Sequence, residues 1–268
     1  MSIVFSAIVP HPPVILPTIG HGHEKKLTAT RAAYQQLAVD LKAADPETII
    51  IIAPHGTNPP NGLAINLSQE FAGELEEFGD LATVKDYQGD IFLAQELRDL
   101  FPDNPAIKLI TEQKLDYSSF LPLTLLTETM FNYKILPLYF SATDLEYNFS
   151  LGQTIGTCLK NHDKKIAVIA SADLSHRLSR QAPAGYSLKA KKFEQKVIDL
   201  LAHDKVEEFL MIDQQTLTQV AECGSRGIAL LLGILSQQEY TPHQLSYEAP
   251  FGVGYLTMSY KVSKVESS

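Results

Sequence analysis

The sequence predicts an α/β fold: a single domain over residues 1–268, with a central, largely parallel sheet flanked by helices and a C-terminal antiparallel hairpin. Three observations predict it. Ile49–Ile52 and Lys165–Ala170 are short apolar runs without polar alternation, as expected of strands buried on both faces. Segments with helical periodicity alternate with such runs along most of the chain. Gln244–Val262 instead alternates in polarity and carries Pro250 and Gly252, which marks a terminal hairpin.

Taken in order, Ile3–Val9 is the first expected strand, and Pro10-His11-Pro12-Pro13 ends it. The prolines of His11–Gly20 remove donors and fix the backbone, so this segment is a rigid connection. His23–Ala44 reads as a helix with Leu27, Tyr34, Leu37 and Leu41 on one face, and Pro46 follows it. The isoleucine strand then runs into Ala53-Pro54-His55-Gly56. This strand–helix–strand unit places His11 and His55 on one edge of a parallel sheet. Thr57–Asn61 is read as loop and Gly62–Leu67 as strand. Gln69–Asp90 is acidic and weakly patterned, and is expected to lie outside the core, where Glu70–Asp90 is a source for a lid.

Asp90–Phe101 reads as a helix stopped by Pro102, Ala106–Ile110 as a strand, and Thr111–Ser119 as a loop. Leu121–Phe131 reads as an apolar helix, and Tyr133–Phe140 as a strand that Pro137 assigns to an edge or a bulge. Leu145–Asn161 is an expected helix, and Lys165–Ala170 a buried strand ending in Ser171-Ala172-Asp173-Leu174-Ser175-His176. Tyr186–Ala202 is amphipathic, with Phe193, Val197, Leu200 and Leu201 facing inward. Helices are expected around Asp213–Glu222 and Gly227–Ser236, joined by the polar turn Cys223-Gly224-Ser225-Arg226.

A chain of 268 residues with 45% hydrophobic and 20% charged residues can bury a sizeable core. Its formal charge of −9 argues against a nucleic-acid or anionic-membrane partner. No apolar run is long enough to span a bilayer, and the chain opens directly into a strand without a basic, apolar leader. Cys158 and Cys223 form no CxxC pair, which fits a reducing compartment, so a cytoplasmic location is expected.

Of the eight histidines, His162, His203 and His243 sit in polar surroundings at element ends and read as surface residues. His21 and His23, in a Gly-His-Gly-His approach to a helix, could mimic a metal site. His11, His55 and His176 differ because each follows an apolar strand. The carboxyl ends of neighbouring parallel strands converge, and neutral imidazole is a common ligand for Fe, Zn, Cu and Ni. No P-loop, G-x-G-x-x-G turn or G-x-S-x-G elbow competes with a metal centre. A carboxylate would complete a two-His, one-carboxylate face, and Glu222, Glu248 and Asp173 are the candidates that spacing leaves open.

The motifs at His11, at His55, at Ser171–His176 and at Glu222-Cys223-Gly224 resemble, in this order, the class III extradiol ring-cleavage dioxygenase family. Within it they resemble the catalytic B-type subunits of the protocatechuate 4,5-dioxygenase type, from residue 11 to about residue 255. The resemblance implies a non-haem Fe(II) held by His11, His55 and Glu222, with His176 as an acid/base group that is not a ligand. It implies a catechol-type dihydroxy aromatic and O2 as substrates; a homo-oligomer is a separate expectation. Tyr117 stands where the family carries a second active-site histidine, and is expected to donate a hydrogen bond while being a poor base.

Cys223, next to Glu222, resembles a feature of the Memo-type branch, which shares the fold and uses a cysteine at about this place. A thiolate there would favour Cu(I) or Zn over Fe(II). A metal-binding or redox-associated protein without ring cleavage is therefore the second expectation. A metal hydrolase with His176 as base is the third.

Overall fold

The computed structural model describes residues 2–59, 61–102 and 104–263. In chain order the strands are β1 (Ile3–Val9), β2 (Thr48–Ala53), β3 (Leu63–Asn66), β4 (Glu70–Leu75), β5 (Asp80–Gln88), β6 (Ile107–Ile110), β7 (Lys134–Phe140), β8 (Ile166–Ser171), β9 (Tyr240–Glu248) and β10 (Tyr255–Val262). The helices are α1 (Pro17–Gly20), α2 (Thr28–Ala44), α3 (Ile91–Asp99), α4 (Tyr117–Leu126), α5 (Leu145–Leu159), α6 (Ala190–Ala202), α7 (Val206–Leu210), α8 (Gln214–Val220) and α9 (Ser225–Leu235).

Eight strands form one mixed sheet in the order β6-β3-β7-β2-β8-β1-β10-β9. Its heart, β7-β2-β8-β1, is parallel. The C-terminal hairpin extends it, β10 antiparallel to β1 and β9 antiparallel to β10. At the other edge β3 is antiparallel to β7 and carries β6. The expected α/β architecture is thus the observed one, down to the terminal hairpin. β4 and β5 pair as a separate ribbon, but this acidic segment does not leave the core as expected: Phe71, Leu75 and Tyr87 are buried in one of the two hydrophobic cores.

The four isoleucines of β2 explain how this sheet is held. All are fully buried, yet they face two different cores. Ile50 and Ile52 join the cluster with α3, α5, α6 and α9, while Ile49 and Ile51 join the one with α2 and α4. Period-two alternation is present, but both faces are apolar, so it leaves no polar trace in the sequence. Among the described residues no helix is long and apolar enough to cross a membrane.

Several boundaries differ from the expectation, each for a local reason. β7 is an interior strand despite Pro137. The Ile135 carbonyl accepts from Asp90 N, so odd-numbered residues of β7 turn their backbone groups away from β2. Pro137 shares that side, where the ladder with β3 ends at Leu138 and no donor is required. α4 starts at Tyr117 rather than Leu121 because the Asp116 carboxylate caps it, accepting from Ser119 N at 3.1 Å. The helix expected over His23–Ala44 is split, with a 3₁₀ turn at His23–Lys26 before α2. α6 begins only at Ala190, and β9 begins at Tyr240.

Candidate metal centre

β1, β2 and β8 are parallel neighbours, so their carboxyl ends open onto one crevice. His11 and His55 each lie two residues past their strand, and Asp173 and His176 follow β8. The fourth contributor is the turn before α9, where Cys223-Gly224 lies against Ala172 and Asp173. A Cβ at Gly224 would sit 2.5 Å from the Ala172 Cβ and 2.8 Å from the Asp173 carbonyl oxygen. One at Gly56 would fall 2.1 Å from the Tyr139 ring. Only glycine lets these two segments approach so closely.

The structure brings His11, His55 and Cys223 together. One candidate ligand atom from each lies within 4.8 Å of the others. Cys223 Sγ is 3.6 Å from His11 Nε2. His11 is 1% exposed and His55 is exposed, so the cluster is deep at one end and open at the other.

Hydrogen bonding fixes which ring nitrogens are available. The Ser171 hydroxyl donates to the Ser118 carbonyl at 2.6 Å. Its oxygen can then only accept from His11 Nδ1, 2.9 Å away, so His11 carries its proton on Nδ1 and presents a bare Nε2 to the cluster. His176 is set the same way: Nδ1 lies 2.8 Å from the Ala221 carbonyl, which can only accept. Ala221 holds a left-handed backbone, φ 50°, at the end of α8. The Asp173 carboxylate joins the two rings. Oδ1 accepts from His11 N at 2.9 Å, and Oδ2 lies 3.7 Å from His11 Nε2 and 3.9 Å from His176 Nε2.

Burial decides the protonation states. It drives the His11 pKa well below the ordinary value, with the nearby His55 and His176 adding to the effect. It also lowers His176, and lowers His55 despite the opposing charge of Asp116. Near neutral pH all three imidazoles are uncharged, the form that binds a metal or accepts a proton. Burial pushes Asp173 up to about 7 and the Cys223 thiol well up, the latter aided by Asp173 and Glu222. A metal bound there would displace the thiol proton.

The other expected site residues are placed as follows. Glu222 stands beside Cys223, but its carboxylate is engaged elsewhere. Oε2 accepts from Ser225 N at 2.6 Å, at the start of α9, and Oε1 pairs with Arg226 Nη1 at 3.1 Å. Arg226 is itself held by the Thr143 carbonyl at 2.8 Å and by Gln214. The Glu248 carboxylate accepts from Thr30 N at 2.7 Å in the first turn of α2. His21 and His23 are exposed on a turn outside the cluster, His23 edge-on to Phe251. Tyr117 stacks on His55, ring centroids 5.1 Å apart and planes 14° apart, and is edge-on to His11. Burial, with Cys223 and Asp173 nearby, pushes its hydroxyl pKa up, so it remains a donor. A cavity of about 310 Å³ adjoins the cluster, lined by His55, Cys223, Asn58, Phe140, Ser141 and Arg226 among others.

Ser171 was not foreseen as a site residue. Its signal is its place as the last residue of β8, opposite Val9, two residues before His11. Ser171→Ala leaves the His11 Nδ1 proton without an acceptor and is expected to weaken metal binding by about 10- to 100-fold. A competition titration against a chelator of known affinity measures this.

The chain matches the family described as the catalytic LigB subunit of aromatic ring-opening dioxygenase over residues 6–258. It is 30% identical to Protein CA_C1420 of Clostridium acetobutylicum over 272 residues, covering 97% of this chain and 58% of that protein. The chain therefore spans a little over half the length of that relative. Its fold is similar to the crystal structure of an uncharacterized protein, JW3007, from Escherichia coli K12. The TM-score is 0.68 at 15% identity, covering 95% of this chain and 98% of that one.

Proposed function

The chain belongs to the LigB family of catalytic subunits of aromatic ring-opening dioxygenases, and we propose that it is a metal-dependent oxidoreductase that opens the ring of a catechol-type aromatic diol with O2. The observation that supports this best is the convergence of two neutral, strand-end imidazoles with a third, His176, turned toward the same carboxylate. The donor set fits a transition metal, with His11 Nε2, His55 and the Cys223 sulfur as the holding atoms. Fe(II) on two histidines and a carboxylate would need Glu222 to leave Ser225 and Arg226, or Asp173 to turn inward.

A metal in this position supplies acidification of a coordinated hydroxyl and a common site for diol and dioxygen. The chain's own groups do the rest. His176, neutral and oriented by Ala221, accepts the proton of a diol hydroxyl at Nε2. Asp173, 3.9 Å from that atom, stabilises the resulting imidazolium. Tyr117 offers a hydroxyl donor beside His55, and Phe140 an apolar wall for a flat ring in the adjoining cavity. The test is oxygen uptake by anaerobically purified protein loaded in turn with Fe(II), Cu(I) or Zn and given a panel of catechols. The expected result is O2 consumption matched by a yellow ring-opened product. Silence across the whole panel with every metal would remove this reading.

A second reading is favoured by one observation, the thiol of Cys223 in place of the Glu222 carboxylate beside the imidazoles. In it the same site holds Cu(I) or Zn and opens no ring. Tight metal binding with no oxygen uptake in the same experiment supports it.

A further inference from the structure

Glu194 is a carboxyl in the wrong place for a helix surface. It lies on the inward stripe of α6 with Phe193, Val197, Leu200 and Leu201, and is 2% exposed. Oε1 accepts from Ser175 N at 2.6 Å. Oε2 is buried without a hydrogen-bond partner among the described residues, although the Tyr247 hydroxyl is close enough to interact with the group. The backbone of Gly254 closes over it so tightly that a Cβ there would meet Oε2 at 2.1 Å. A half-satisfied buried carboxyl costs stability, and an apolar side chain would fill an inward helix position at lower cost. What its bonded oxygen holds is the backbone of Ser175.

Ser175 is pinned on every polar atom. Its carbonyl accepts from Gly254 N at 3.0 Å, and its hydroxyl donates to the Val220 carbonyl at 2.9 Å. The next residue, His176, donates its backbone N–H to Val220 and its Nδ1–H to Ala221. The Ser175–His176 step is thus clamped between the β9–β10 turn, the end of α8 and α6. The clamp from α6 is a single side chain, Glu194, nineteen residues from Ser175 in sequence. Burial brings its pKa up to about 7, so its hold on Ser175 N persists through a gain or loss of its proton, since either form accepts at Oε1.

We propose that Glu194 is a positioning residue: by bonding Ser175 N it fixes the backbone one residue before His176, and so helps aim His176 Nε2 at Asp173 and the imidazole–thiol cluster. This rests on the reading of His176 as the acid/base group of the site, and the test separates the two. Glu194→Leu removes the clamp while suiting an apolar stripe, and Glu194→Gln keeps an acceptor for Ser175 N. With ¹⁵N-labelled histidine, the native His176 should show the Nδ1–H tautomer. Glu194→Leu should mix its tautomers and speed exchange of the Ser175 and His176 amides by at least tenfold, and Glu194→Gln should restore both. Metal affinity should stay within threefold in either variant.

Unchanged His176 signals and amide exchange in Glu194→Leu would overturn the proposal. Should that variant fail to fold, the native chain decides: a Ser175 amide exchanging within seconds under native conditions would equally overturn it. If the His176 signals move as expected while the native protein opens no catechol with any metal, positioning stands and the ring-opening reading falls. If ring opening is found, Glu194→Leu should lower kcat at least tenfold with KM little changed, and Glu194→Gln should recover it.

Discussion

Cys223→Ser is expected to weaken metal binding by at least about 100-fold, while Glu222→Gln leaves it within a few-fold. The sulfur is 3.6 Å from His11 Nε2, and among the described residues no other side chain supplies a soft donor to the two imidazoles. A serine hydroxyl keeps its proton near neutral pH and is a poor ligand for a thiophilic metal. Both Glu222 oxygens are already bonded, one to Ser225 N and one to Arg226. Glutamine keeps an acceptor for Ser225 N but removes the charge opposite a largely buried guanidinium. Its cost should therefore appear as a stability loss of about 1–3 kcal/mol by denaturant titration.

Metal content after anaerobic purification, with affinities from chelator competition, reads the binding side of the comparison. The reverse pattern, metal kept in Cys223→Ser and lost in Glu222→Gln, would mean that the carboxylate leaves Arg226 when metal binds. That outcome would restore the two-His, one-carboxylate face which the sequence resemblance implies.

The convergence of the strand-end histidines was legible in the sequence, and which side chain of the late turn stands beside them was not. β1, β2 and β8 announce themselves as apolar runs because a parallel sheet covered on both faces needs no polar side. A histidine just past such a run can only enter the crevice at the strand ends, which is where His11, His55 and His176 are found. Glu222 and Cys223 are neighbours on one turn, and adjacent side chains of a turn point different ways. Which one faces the histidines depends on where Arg226 is held, and Thr143 and Gln214 that hold it come from separate segments.

Other readings failed for similar reasons. Pro137 reads as an edge signal because the sequence does not show that the β3 ladder stops one residue short of it. Asp116-Tyr117-Ser118-Ser119 is a capping sequence, but the apolar run that begins later drew the expected helix start to Leu121. Glu194 interrupts an inward stripe that was identified, and nothing local in the sequence shows that Ser175 N lies above it.

Glu194 also carries a large expected pH effect on stability, one that a single substitution can isolate. Metal-free Glu194→Gln should be more stable than the native chain by about 2–3 kcal/mol at pH 8, with little difference near pH 4.5. The carboxyl has its pKa raised by burial from 4.5 to about 7 in the folded state. Below about 4.5 it is protonated in both folded and unfolded chains and costs nothing in the balance. Between 4.5 and 7 the unfolded chain ionises while the folded chain keeps its proton, so stability falls as pH rises, and above 7 the full penalty is present. Glutamine imitates the protonated form at every pH and escapes the penalty. Asp173, also raised to about 7, acts in the same direction and is present in both proteins. His11, His55 and His176 act oppositely: their lowered values mean that the unfolded chain takes up protons first, and stability is lost as pH falls below about 6.5. These contributions are common to both proteins and, apart from the Asp173 charge that helps raise Glu194, drop out of the difference between variant and native protein. Denaturant titrations at pH 5, 6, 7 and 8 should show it growing with pH and levelling above 7. A difference flat across that range would show that the folded chain holds Glu194 ionised throughout.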